Sequence, residues 1–153
     1  MKKILFLLFI TLSTAAVNAQ EIKWMSMDEA LAAQKQKARP IFMDVYTDWC
    51  GPCKMLDKNT FSDAAVAKYV NENFYAVKFN AEGNSEITYK GKKYTNPGYV
   101  AGRRGKNAMH DFTKTLKVPG YPSMIVFDAK GNMKPAIVGY KTPQQLLEAL
   151  RAI

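Results

Sequence analysis

In the stretch Trp49-Cys50-Gly51-Pro52-Cys53-Lys54, two cysteines stand one helical turn apart. They follow the apolar run Pro40-Ile41-Phe42-Met43-Asp44-Val45-Tyr46, which reads as a strand leading into a turn and then a helix. A strand that delivers a cysteine to the start of a helix commits the chain to an α/β unit. At this spacing two thiols can close a four-residue disulfide and reopen it by exchange. A helix N-terminus lowers the pKa of the first thiol, Cys50, by favouring its anion. The pattern belongs to redox chemistry rather than scaffolding.

These are the only cysteines in the chain. As a structural staple, a four-residue loop would contribute only about 2 kcal/mol before strain. A structural zinc site needs four ligands, and the chain adds only His110 to the two thiols. Copper(I) can be held by two thiolates, so these residues alone leave a thiol-based metal carrier open.

The N-terminus reads as an export signal. Met1-Lys2-Lys3 precedes the apolar run Ile4 to Ile10, and Val17-Asn18-Ala19 supplies small residues before Gln20. Cleavage after Ala19 is expected, leaving 20–153 as one domain with a real core. The run is too short and too polar toward its end for a membrane span. Lys2 and Lys3 are the only charged residues removed, so the net charge falls from +9 to +7. Export places the protein outside the cytoplasm, with the periplasm as the expected compartment. There an ordinary cysteine pair stays closed, and one acting as a reductant needs a dedicated electron donor.

Along the chain, Ile22 to Met25 reads as a short strand, and Ser26-Met27-Asp28-Glu29 as a capping box opening a helix to about Lys37. The helix from Cys50 is expected to break near Asn59-Thr60. Ser62 or Asp63 then caps a segment from Ala64 to Asn71, with Ala64, Val66, Ala67 and Val70 available for packing. Strands follow at 74–80, 123–127 and about 137–140, with a short helix at 107–116 and a turn at Ala129-Lys130-Gly131-Asn132. Thr142-Pro143-Gln144-Gln145 opens a last helix. The order implies a central mixed β-sheet flanked by helices on both faces.

With these residues in place, the chain resembles the thioredoxin family. The active-site stretch 49–54 is similar to that of thioredoxin itself. Asp44, six residues before Cys50, matches the family's buried aspartate, and Lys78 in Val77-Lys78-Phe79-Asn80 matches its lysine partner. Tyr121-Pro122 stands where the family has its cis-proline, and Gly139 where it has a glycine beside the active site. The likeness covers about 22–82 and 114–152. Trp24-Met25-Ser26, Asn59 to Asp63 and Val70 to Phe74 look most like exported members, such as the periplasmic thioredoxin-like domain of the transmembrane disulfide reductase.

The resemblance implies roles. Cys50 would be the exposed attacking thiolate and Cys53 the resolving thiol, with Asp44 taking a proton from Cys53 and Lys78 tempering Asp44. Trp49, Gly51, Pro52, Tyr121, Pro122 and Gly139 would form the client surface. The redox-active Cys50–Cys53 disulfide would be the sole prosthetic feature, with no metal, since the proline ring would cover the thiols. Trp24 and Met55 are assigned to packing, and His110 to the surface or a helix face. The absence of a histidine between the cysteines favours a reductase over a disulfide isomerase or oxidase. The expected partners are client proteins with disulfides and a membrane electron donor, with the protein itself a monomer.

An insertion of about 25 residues, within about 83–113, separates the two matched segments. It holds five of the nine glycines, and no carboxylate occurs between Glu86 and Asp111. Lys90, Lys92, Lys93, Arg103, Arg104 and Lys106 alternate there with Tyr89, Tyr94 and Tyr99. Ile87 to Thr95 suits a hairpin turning at Lys90-Gly91 with its cations exposed. The default reading is a solvated loop. The sharper one is a docking surface for an acidic partner or anionic envelope surface, with tyrosines adding contact area. Export argues against nucleic acid.

Overall fold

A computed structural model describes residues 20–153, so the expected signal segment, 1–19, lies outside the described residues. The chain runs β1 (Trp24–Met25), α1 (Met27–Gln36), β2 (Ile41–Tyr46), α2 (Gly51–Leu56) and, after a π-helical turn at Asp57–Phe61, α3 (Ala64–Asn73). There follow β3 (Tyr75–Asn80), β4 (Ile87–Tyr89), β5 (Lys92–Tyr94), α4 (Asp111–Leu116), β6 (Ser123–Phe127), β7 (Ile137–Val138) and α5 (Pro143–Arg151). Five strands form one mixed sheet in the order β1-β3-β2-β6-β7, and β4 and β5 form a separate hairpin. The strands β1, β3 and β2 are parallel to one another, and β6 is antiparallel to both β2 and β7. This is the expected α/β thioredoxin fold.

The alternation of β2 decides which residues face which layer. Ile41, Met43 and Val45 join Phe79, Ile125 and Phe127 in a core closed by α1, α4 and the hairpin. Phe42 points the other way, into a second core with Leu56, Phe61, Val66, Val70 and Leu146 from the α2, α3 and α5 side. Asp44 and Tyr46 share the Phe42 face by the period of two. The catalytic aspartate expected from the sequence therefore lies inside the sheet layer that α2 covers.

Local chemistry sets most boundaries. Ser26 and Glu29 form the capping box of α1, and Thr142 and Gln145 that of α5, with Pro143 in its first turn. Asp63 caps α3 by accepting from the N–H groups of Ala65 and Val66. Ala64, expected to pack, is exposed, because the buried stripe of α3 is Val66, Ala67 and Val70. The break expected near Asn59-Thr60 is instead a widened π turn, whose Thr60 donates from Oγ1 to Lys141 O at 2.5 Å. The last strand stops at Val138 because Gly139 turns to φ +79°.

The insertion is more structured than a solvated loop. Lys90 and Gly91 both take positive φ, closing the hairpin where the sequence placed its turn. Lys90, Lys92 and Lys93 are exposed, but Tyr89 and Tyr94 are buried against Phe112, at 5.5 and 5.2 Å between ring centroids. These tyrosines are core, not contact area. Tyr89 also donates its hydroxyl to Gly131 O at 2.7 Å, which satisfies the one polar atom it buries.

Candidate active site

Cys50 and Cys53 form a disulfide with Cα atoms 5.3 Å apart. Cys50 is the N-cap residue of α2, and its Sγ accepts the Cys53 backbone N–H at 3.1 Å. The same N–H would stabilise a Cys50 thiolate once the bond is reduced. The sequence places Cys50 on the surface, yet only 3% of its area is accessible. Its sulfur is turned inward over the first helical turn, toward Cys53 and its N–H, rather than outward. Gly51 and Pro52 complete that turn on the exposed side.

On the sheet face that α2 covers lies the Asp44–Lys78 pair. The parallel register sets Asp44 opposite Lys78, and Lys78 Nζ lies 2.8 Å from Asp44 Oδ2. Asp44 is 1% exposed, and its Oδ1 has no hydrogen-bond partner among the described residues. Burial pushes its pKa up to about 6, against the pull of the Lys78 charge and hydrogen bond. Burial alone would lower Lys78, but the charges and hydrogen bonds of Asp44 and Asp57 together outweigh it and hold its pKa above the usual lysine value.

Lys78 also pairs with Asp57 and lies over the rings of Trp24, Phe61 and Tyr46 at 4.9 to 5.1 Å. Trp24 packs as expected, edge to face on Phe61 at 5.1 Å, and in doing so walls the lysine. A cleft of about 340 Å³ bounded by Trp24, Asp57, Phe61 and Lys78 reaches the lysine of the pair from the surface, while Asp44 stays buried behind it. Sequence reasoning missed Asp57, although its position four residues after Cys53 puts it on the same helical side.

The Tyr121–Pro122 peptide bond is cis, and the Gly139 N–H donates to Pro122 O at 2.8 Å, which ties β7 to the proline. Trp49, 40% exposed, meets Tyr121 edge to face with centroids 6.0 Å apart. Burial, then the charge of Glu82, raises the Tyr121 pKa. Glu82 itself does not stand out in the sequence. Its Oε2 accepts both Trp49 Nε1 at 2.9 Å and the Asn107 N–H at 2.7 Å. Nothing local signals this role, because the insertion must first fold back.

Two assignments are corrected. His110 is completely buried rather than on the surface. It caps α4, its Nδ1 accepting the Phe112 N–H at 3.0 Å, while its Nε2 is 2.6 Å from Ser85 O. That pattern assigns the proton to Nε2, and Phe79 covers the ring edge to face at 5.3 Å. Met55, expected in the core, is 52% exposed, because Cys53 and Leu56 make up the buried side of α2. Among the described residues, no three His, Cys, Asp or Glu side chains cluster to hold a metal ion, and no helix is long and apolar enough to cross a membrane.

This arrangement agrees with the chain's similarity to known proteins. The family described as a thioredoxin-like domain matches residues 27–153. The chain belongs to the thioredoxin-like family of thiol–disulfide oxidoreductases. It is 29% identical over 135 residues to the thiol:disulfide interchange protein DsbD of Ralstonia nicotianae, covering 86% of this chain and 18% of that one. The chain thus spans about a fifth of the length of that relative. Among solved structures, a proposed disulphide-isomerase from Bacteroides thetaiotaomicron is 27% identical with a TM-score of 0.58, over 86% of this chain and 92% of that one. A thioredoxin from Thermus thermophilus shares the fold with a TM-score of 0.61 at 17% identity, over 86% of both chains.

Proposed function

We propose that this protein is an exported, periplasmic thiol–disulfide reductase, with Cys50 as nucleophile, Cys53 as resolving thiol and Asp44 as its proton acceptor. The Cys50 thiolate attacks a client disulfide, forming a mixed disulfide and releasing one client thiolate. Cys53 then gives its proton to Asp44 and attacks Cys50 Sγ, which forms the Cys50–Cys53 bond and releases the second client thiol. Two electrons pass to the client, and a membrane donor returns two by the reverse exchange. Lys78 holds Asp44 in reach of ionisation, while Trp49, Gly51, Pro52, Tyr121, Pro122 and Gly139 form the client surface.

The observation that carries this reading is the buried Asp44 carboxyl, its pKa raised to about 6 by burial and its Oδ1 without a hydrogen-bond partner among the described residues, on the sheet face that α2 covers. A resolving thiol that must ionise away from water needs such a base. The test is the reduction potential of the pair in defined thiol–disulfide buffers. A value near −270 mV, roughly that of thioredoxin, supports the reductase. A value at or above about −180 mV overturns the direction in favour of an isomerase or oxidase, a reading that the Bacteroides relative keeps in view.

A further inference from the structure

The basic insertion divides into two surfaces at opposite ends of the sheet. The hairpin tip lies at the far end, where Lys90 Nζ is 3.4 Å from Asn132 Oδ1 and Tyr89 bonds Gly131. That turn follows Phe127, which pairs with Ile41, the first residue of β2. Residues 97–109 lie at the other end, beyond Tyr46, where β2 runs toward the disulfide. Lys92 and Lys93 therefore belong to a different surface from Arg103, Arg104 and Lys106.

The second surface is built into the active site. One carboxylate oxygen of Glu82 holds both Trp49 Nε1 and the Asn107 N–H, and Lys106 Nζ lies 4.9 Å over the Trp49 ring. Asn107 braces the loop across its width, its side chain bonding Val100 N and O at 3.0 and 2.8 Å. Asn96 Nδ2 ties the loop's base to Gly83 O and Ala108 O. Arg103, Arg104 and Lys106 are exposed, and among the described residues none of them forms a salt bridge. Glu82, the carboxylate held in this loop, is occupied by two neutral donors.

We propose that the loop 97–109, clamped to Trp49 by Glu82, is a wall of the client site that selects disulfides flanked by acidic residues. The inference rests on the reductase reading and adds its substrate class. Trp49 touches Tyr121, the residue before the cis-proline, so Lys106 over the Trp49 ring stands one aromatic side chain away from where an extended client would lie, and Arg103 and Arg104 are exposed on the same braced loop. Fixed cations beside a reaction centre raise the encounter rate of anionic partners and do so less in salt. Glu82 acts as a positioning residue through Trp49 and Asn107.

The experiment uses the reduced protein and three peptides, each with one internal disulfide, identical except for Asp, Ser or Lys beside the cysteines. The second-order rate should favour the Asp over the Lys peptide by at least about tenfold at low salt, and the preference should shrink several-fold at about 0.5 M salt. R103E/R104E should abolish or invert the preference, and K92E/K93E should leave it within about twofold. E82A should lose it together with a change in Trp49 emission, and E82Q, which keeps an acceptor oxygen, should restore both. Equal rates for all three peptides overturn this inference alone. So does a preference unmoved by R103E/R104E, one lost equally in K92E/K93E, or equal rates with Arg103-dependent binding to anionic lipid vesicles. Failure to reduce any peptide overturns the reductase reading with it.

Discussion

Lys78 Nζ sits 2.8 Å from Asp44 Oδ2, and the two residues are register partners on neighbouring parallel strands. The ion pair is therefore fixed by strand pairing rather than by two long side chains finding each other. A one-residue slip would send either partner to the opposite face of the sheet. The pair survives burial because Lys78 also reaches Asp57 and three aromatic rings at the rim, so its charge is never wholly desolvated.

Asp44 should make stability depend on pH. It is raised from 3.8 to about 6 on folding, so the folded state holds its proton more tightly than the unfolded chain does. This stability is fully present below about pH 4 and is lost as pH rises through about 6. The loss is on the order of 2–3 kcal/mol, at about 1.36 kcal/mol per pH unit. Asp44→Asn should therefore be as stable as the wild type at pH 4 and more stable at pH 7, by up to that amount. Denaturant unfolding of both oxidised proteins across this range checks it, and parallel curves for the two would refute it.

The same substitution should slow the resolving step. Without a proton acceptor, the mixed disulfide at Cys50 should persist, with resolution by Cys53 slowed by roughly 10²-fold. Acid quenching and mass spectrometry would show the intermediate accumulating in Asp44→Asn but not in the wild type. Lys78→Met should leave the carboxyl in place but remove the charge that restrains its pKa. The acid limb of its rate profile should then move above the wild-type position near pH 6.

His110 should matter to stability and not to the redox couple. Replacing it with Ala removes the cap on the Phe112 N–H and the bond to Ser85 O, and opens space beside Phe79. Together these should cost about 2–4 kcal/mol. The reduction potential of the disulfide should stay within experimental error, and a large shift would show that His110 communicates with the site.

What the sequence disclosed follows the range of the interactions. The strand, turn and helix around Cys50 are local, so spacing and capping residues sufficed. Asp57 was within reach of the i, i+4 rule. In β4 the alternation of buried Ile87 and Tyr89 with exposed Thr88 was present in the letters, but the lysines around it argued for a solvated hairpin. His110 and Glu82 had no local signal, since the burial of one and the clamp of the other exist only after the insertion packs back on the sheet.

The two glycines of the site should respond differently to an added methyl. At Gly51 the φ is ordinary and no atom lies within 4 Å of where a Cβ would stand, whereas Gly139 has equal space but a φ of +79°. Gly51→Ala should be neutral or slightly stabilising, because it opens a helix and restricts the unfolded chain. Gly139→Ala should lose about 1–2 kcal/mol from backbone strain alone. Equal unfolding midpoints for the two variants would contradict this.

The insertion's hairpin should unfold with the rest of the domain, because its tyrosines are core residues. Tyr89 packs against both Phe112 and Phe127, with centroids 5.5 and 5.6 Å away, and so joins the hairpin to α4 and to the central sheet. Tyr89→Ala should cost about 3–5 kcal/mol, the range for truncating a buried aromatic residue. Tyr89→Phe should lose only the bond to Gly131 O, about 1 kcal/mol or somewhat more because the acceptor is buried. If the hairpin were an appendage, both variants would unfold with the wild type. As part of the core, Tyr89→Ala should lower the single unfolding transition of the whole domain, followed by circular dichroism, rather than create a second one.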